Sequence, residues 1–271
     1  MISKKSYGIP FIVFIIAGTI IPLISIAYYG FTSRDGSVTL ANITAMFQHD
    51  HLQALGLSLL LALVSTAICL IIAFPMAMIL RGSKYGKTGF MIFVFILPMW
   101  MNFLLRTMAW QVLLERQGVI NAVITAMGFP RQELINTPGA IVLGMVYDFL
   151  PFMILPIYNT VSKIDEHLIE AAYDLGASKK TVYTHVILPL TVPGIVSGIT
   201  MVFIPALTTF VISNMLGGGK INLIGNIIEQ EFTVNSNWYL GSGLSLVMMV
   251  FIRISMLLLQ KFDKSEGQSL I

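Results

Sequence analysis

Long apolar runs separated by short polar stretches set the pattern of this chain. A bilayer span needs about 20 mostly apolar residues. Six segments reach that length, at roughly residues 9–31, 55–80, 90–114, 140–158, 192–215 and 240–259. The pattern predicts an all-α, polytopic membrane protein with six transmembrane helices in a single domain, 1–271. The first run follows Lys4 and Lys5, as a secretory signal would. Its apolar part is longer than a signal's, and no small-residue cleavage site follows, so it reads as a retained helix.

One polar stretch stands apart. Residues 170–189 read EAAYDLGASKKTVYTHVILP, between two apolar runs. Leu168, Ala172 and Leu175 form one apolar stripe at helical spacing, and Val182, Tyr183 and Val186 form a second. Gly176 between them suits a left-handed C-cap, Ser178 suits an N-cap, and Pro189 after Leu188 is expected to stop the second helix. Two helices this small have no core of their own. A helix–Gly–helix with two apolar faces therefore implies a partner protein.

Composition strengthens the membrane reading. The chain is 56% hydrophobic and 11% charged, with a mean hydropathy of +0.84; soluble domains carry about 25% charged residues. Cys69, the single cysteine, lies in an apolar run and reads as a small packing residue. A net charge of +3 gives no reason to expect nucleic acid. The placement of the charge is more telling. With the N-terminus inside, Lys4, Lys5, Arg81, Lys84, Lys87, Lys163, Lys179, Lys180, Lys261 and Lys264 face the cytoplasm, against Arg34, Arg116, Arg131 and Lys220 outside. Ten against four orients the chain with both termini and the 162–190 loop in the cytoplasm.

Ionisable groups within spans are expensive, about 2.5–3.5 kcal/mol on insertion scales, and each needs a reason. Arg106 and Asp148 have two readings: mutual neutralisation across adjacent helices, or contact with a substrate. Beside Asp148, the aromatics Trp100, Trp110 and Tyr147 would suit a cation, or serve as interface anchors. Arg253 reads as snorkelling. Pro75, Pro98, Pro151, Pro156, Pro193 and Pro205 are expected to interrupt helices. Gly194 and Gly198 make a GxxxG for close packing, within this chain or against a partner. The outer loop holds an amphipathic stretch, 119–127, bounded by Gly118 and Gly128.

Other chemistry is weakly supported. Gly219-Lys220 is no phosphate loop, because Asn214 replaces its first glycine and Ile221 the Ser or Thr that binds magnesium. His49-Asp50-His51 offers too few ligands for a metal and reads as solvated surface. His167 and His185 also fall outside the spans, which leaves an embedded enzyme without support.

Glu170-Ala171-Ala172, three residues, Gly176, nine residues and Val186-Ile187-Leu188-Pro189 resemble the EAA loop of ABC-importer permeases, EAA-x3-G-x9-I-x-L-P. Val for Ile at 186 is the one departure. Residues around 97–110, 150–180 and 211–232 resemble the spermidine/putrescine (PotB-type) branch of that family. The resemblance implies the type I importer permease fold and a non-catalytic subunit working by alternating access. It also implies a second homologous permease as heterodimer partner, two copies of an ATPase subunit that bind the ATP and Mg, an extracytoplasmic polyamine-binding protein, and surrounding membrane lipid. No cofactor or metal is expected in this chain. The coupling residues implied are Glu170, Ala171, Ala172, Asp174, Leu175, Gly176, Ala177 and Ser178; the substrate-path candidates are Trp100, Asn102, Arg106, Trp110, Tyr147 and Asp148. A permease for another small solute, or a secondary transporter, are the alternatives.

Overall fold

The computed structural model describes residues 9–83 and 90–267; Lys4, Lys5, Lys84 and Lys87 of the charge count lie outside them. The described residues are mainly helical, with one isolated antiparallel bridge, Thr32–Val38. Five helices are long and apolar enough to span a bilayer: α1 (Pro10–Phe31), α2 (His49–Gly82), α6 (Pro138–Val161), α8 (Lys179–Thr208) and the Trp238–Leu259 part of α11 (Trp238–Gly267). Between them lie α3 (Phe90–Trp100), α4 (Phe103–Leu114), α5 (Val119–Ala126), α7 (Glu166–Asp174), α9 (Val211–Leu216) and α10 (Ile224–Thr233).

Two expected spans are not continuous. The 90–114 run is broken at Met101–Asn102, where Phe93–Trp100 and the following stretch, Phe103–Ala126, are bent by 93°. Pro98 removes one ladder donor just before the break. Asn102 then restarts the helix, its side chain accepting from Leu104 N–H (2.9 Å) and Leu105 N–H (3.4 Å). The 192–215 run likewise ends at Thr208, and 211–216 is the separate α9. Elsewhere the prolines do not interrupt. Helices run through Pro75, Pro151, Pro156, Pro193 and Pro205.

Pro189 does not stop its helix either. A π-helical turn at Tyr183–Ile187 precedes it within α8, and the helix continues through the proline to Thr208. A widened i→i+5 turn makes room for the pyrrolidine ring, which would otherwise strike the carbonyl four residues back.

The chain divides into two compact units. One comprises the described part of Met1–Leu55 with Ile227–Arg253. There α1 buries none of its apolar window, while its C-terminal end is held by side-chain contacts. Tyr29 packs edge-on to Tyr239 (5.4 Å), Phe232 meets Trp238 (5.4 Å), and Asn42 Nδ2 donates to Thr32 O (2.8 Å).

The other unit comprises the described part of Gly56–Asn226 with Ile254–Ile271. Its centre is α6, where Ile141, Met145, Met153, Ile154 and Ile157 are fully buried. A small-residue stripe on α2, Ala62, Cys69, Ala73 and Ala77, is fully buried too. Ser65 Oγ reaches Met145 Sδ on α6 at 3.3 Å. Small residues let helices approach closely where lipid offers no hydrophobic drive between them.

The GxxxG works within this chain. A Cβ on Gly194 would lie 2.5 Å from Thr160 Oγ1 and 2.8 Å from Pro156 O; one on Gly198 would lie 2.7 Å from Met153 Sδ. All three neighbours belong to α6. Gly194→Val should therefore force α6 and α8 apart at a cost of about 1–3 kcal/mol, read as a lowered unfolding temperature of the purified protein in detergent, whereas Gly56→Ala, in open space within α2, should hold or slightly raise it.

Candidate functional site

The loop between α6 and α8 is built as two caps around a nine-residue helix. Asp165 Oδ1 accepts from His167 N–H (3.0 Å) and starts α7. At the other end Gly176 takes φ +82°, its N–H donates to Tyr173 O (2.8 Å), and Ala177 N–H donates to Ala172 O (3.0 Å). These two bonds are the Schellman pair, which only a residue free to adopt left-handed φ completes without strain. Ser178 then caps α8, its Oγ accepting from Thr181 N–H (3.2 Å). The sequence located Gly176 and Ser178; Asp165 is an additional cap.

The helix has two faces, and they divide the expected stripe. Ile169 and Ala172 turn inward, and with Met78, Ala177 and Val186 they pack on Ile164, Val182 and Ile187. Leu168 (52% exposed) and Leu175 (89%) turn outward with Ala171 between them. Spacings of three and four put these three on one face. Burying one such leucine is worth about 1.5–3 kcal/mol, and among the described residues this face stays uncovered. Glu170 and His167 stand 3.4 Å apart on α7, both well exposed. Asp174 is exposed at its C-terminal end. Tyr183, grouped with Val182 by spacing, instead places its ring edge-on to Phe74 of α2, centroids 5.6 Å apart.

The path candidates fall into three groups. Arg106 on α4 and Asp148 on α6 meet, Nε to Oδ1 at 3.4 Å, with 6% and 1% of their side chains exposed. Thr107 Oγ1 donates to the other carboxylate oxygen at 3.3 Å. Arg106 Nε and Nη1 and Asp148 Oδ1 complete no hydrogen bond among the described residues, so the pair is held by charge rather than by a closed fork. Trp110 and Tyr147 pack edge-to-face at 5.4 Å, with Tyr147 partly open. Trp100 is 74% exposed against Phe93, and Asn102 is the cap of α4.

A polar cluster escaped the sequence reading. Asn226, fully buried, accepts at Oδ1 from Ser213 Oγ (2.5 Å) and Leu223 N–H (3.0 Å). Its Nδ2 donates to Phe210 O (3.1 Å) and Asn214 Oδ1 (2.6 Å). A Cβ on Gly225 would stand 2.6 Å from Thr208 O. This one amide ties together the backbone where the fifth apolar run breaks. An asparagine next to a glycine within LIGNII was the available signal.

The family described as binding-protein-dependent transport system inner membrane component matches residues 37–267. The chain belongs to that family. It is a multi-pass membrane permease, the membrane component rather than the catalytic one. It is 35% identical over 253 residues to the spermidine/putrescine transport system permease protein PotB of Haemophilus influenzae, covering 90% of this chain and 88% of that protein. Against the protein of the same name from Escherichia coli, identity is 34% over 259 residues, covering 90% and 94%. Among solved structures, a chain of a bacterial ABC transporter involved in import of the acidic polysaccharide alginate superposes with a TM-score of 0.81 at 15% identity, covering 96% of this permease and 94% of that chain. A chain of the inward-facing MetNI methionine ABC transporter gives 0.59 at 17% identity, covering 79% and 95%. At those identities the likeness is one of fold.

The Arg106–Asp148 geometry makes a stability prediction for this permease. Asp148→Ala strands a buried guanidinium and should cost about 3–5 kcal/mol, whereas Arg106→Leu with Asp148→Leu should recover most of it. A double-mutant cycle on unfolding in detergent measures the coupling; additive single effects would mean the pair does not interact.

Proposed function

We propose that the chain is the permease subunit of an ATP-binding-cassette importer for polyamines, acting by alternating access. In this reading it has six spans, with the bent α3–α4 pair as the third, the type I importer topology, and both termini in the cytoplasm. It acts as one permease domain beside a second homologous permease. Two copies of an ATPase subunit hold the ATP and Mg, and an extracytoplasmic binding protein delivers the cargo.

The observation that carries the proposal is the outward face of α7. Leu168, Ala171 and Leu175 form an apolar stripe on a helix capped at both ends and seated on its inner face. Such a helix suits a groove on the ATPase, with Glu170 bridging to a basic residue, Ala171 permitting close approach and Gly176 making the bend. Closure of the ATPase dimer drives the cycle only if this helix docks differently in the two states.

The polyamine assignment is supported by the spermidine/putrescine permeases at 34–35% identity. In the path, Arg106 already neutralises Asp148. Attraction for a linear polycation therefore falls to the faces of Trp100, Trp110 and Tyr147, through cation–π contact worth about 0.5–2 kcal/mol each. Asn102 adds a polar group at the break.

Labelled spermidine uptake into proteoliposomes holding the whole complex, with ATP inside and binding protein outside, tests the assignment. Uptake requiring both is expected, and uptake without ATP would sink the mechanism. Assembly and ATP dependence without polyamine uptake would transfer the permease to another solute. Gly176→Val places a β-branched residue at a left-handed φ, a strain of about 1–3 kcal/mol. It should leave membrane insertion intact while hydrolysis continues without transport; wild-type transport by this variant would refute the coupling role.

A further inference from the structure

We infer that Arg81, at the end of α2, is a positioning residue that clamps the lead-in of α7 to a third membrane helix, so that α2 moves with the coupling helix. The inference rests on the coupling reading above. By covalent connection α7 pulls only on α6, which precedes it, and α8, which follows. The contacts of α2 add a third member. Arg81 Nη2 donates to Ile164 O at 2.9 Å across 83 residues of sequence.

The accepting carbonyl is well placed. Ile164 directly precedes Asp165, the cap of α7, and lies outside the helical ladder, whose first acceptor is Asp165 O (Leu168 N–H, 3.3 Å). One turn before Arg81, and so on the same face, Met78 packs against the cluster formed by Ile164, Val182 and Ile187. The last turn of α2 thus holds Ile164 twice, its side chain by apolar contact and its carbonyl by a charged donor.

The polar half of this grip is not embedded in packed core. Beside it lies a cavity of about 300 Å³ lined by Arg81, Tyr158, Ser162, Ile164 and Glu166, roomy and polar enough for water. On that side the hydrogen bond adds a directional hold to the apolar contact. A guanidinium spans such a space where a shorter side chain does not reach. An isolated apolar contact would let the backbone slide, while a bond to a carbonyl fixes both its height and its direction.

Two measurements on the assembled complex test this. In proteoliposomes, uptake and binding-protein-stimulated ATP hydrolysis are followed together. Arg81→Ala should keep unstimulated hydrolysis but lower transport per ATP about tenfold, the scale of one lost charge-assisted hydrogen bond. Arg81→Lys, which keeps a cationic donor, should regain much of it. Unchanged transport per ATP in Arg81→Ala overturns the inference. If the wild-type complex shows no stimulation at all, the coupling reading itself falls.

The second measurement needs no substrate. Spin labels at Gly82→Cys and Lys163→Cys, in a Cys69→Ala background, report the distance from α2 to the lead-in in nucleotide-free and ATP-trapped complexes. A distance that holds in both states with Arg81 present, and shifts with Arg81→Gln, is expected. A distance that changes between states with Arg81 present overturns the clamp.

Discussion

The contact of α6 with α8 is the interaction on which the rest depends. Gly194 and Gly198 let α8 lie directly against Met153, Pro156 and Thr160 of α6. In a bilayer this contact has no hydrophobic drive of its own, because lipid tails are as apolar as the side chains they would leave. Close packing, bought by the absence of two β-carbons, replaces that drive. The loop that carries α7 joins these two helices, so their contact sets the distance between its ends.

A second constraint shapes the breaks. Backbone groups inside a membrane must find partners within the protein. The bend after Trp100 is tolerated because Asn102 supplies the cap for α4. The break after Thr208 is tolerated because the Asn226 amide bonds Phe210 O and Asn214 Oδ1 while accepting from Ser213 and Leu223. Both are places where irregular backbone is stabilised by a buried or local amide, and both interrupt runs whose apolar composition alone predicts straight spans. The buried Arg106–Asp148 pair joins α4, the second half of one broken run, to α6, so the break does not leave that half-helix adrift.

The loop that carries α7 is one-sided by construction. Its inner face is a small closed cluster around Ile164, Val182 and Ile187. Its outer face leaves Leu168 and Leu175 in water.

The sequence by itself determined the class, the approximate place of the long apolar helices, and the two central caps of the loop that carries α7. Each of these is local. Apolar run length, Gly176 at a left-handed φ and Ser178 before a helix are decided by neighbours in the chain. Tertiary structure alone decided which residues of α7 face outward. Leu168, Ala172 and Leu175 are compatible with one stripe by spacing, but the position of Met78 and Ile187 drew Ala172 inward and left Ala171 outside. It brought Arg106 and Asp148 together, since pairing across 42 residues depends on how α4 packs on α6. It decided the fate of the prolines as well. A proline threatens a helix equally everywhere in sequence, yet a π turn ahead of Pro189 preserves the helix, whereas the run containing Pro98 breaks. Whether the backbone bends or adjusts depends on which neighbours are present to satisfy the groups set free, and no local pattern records that.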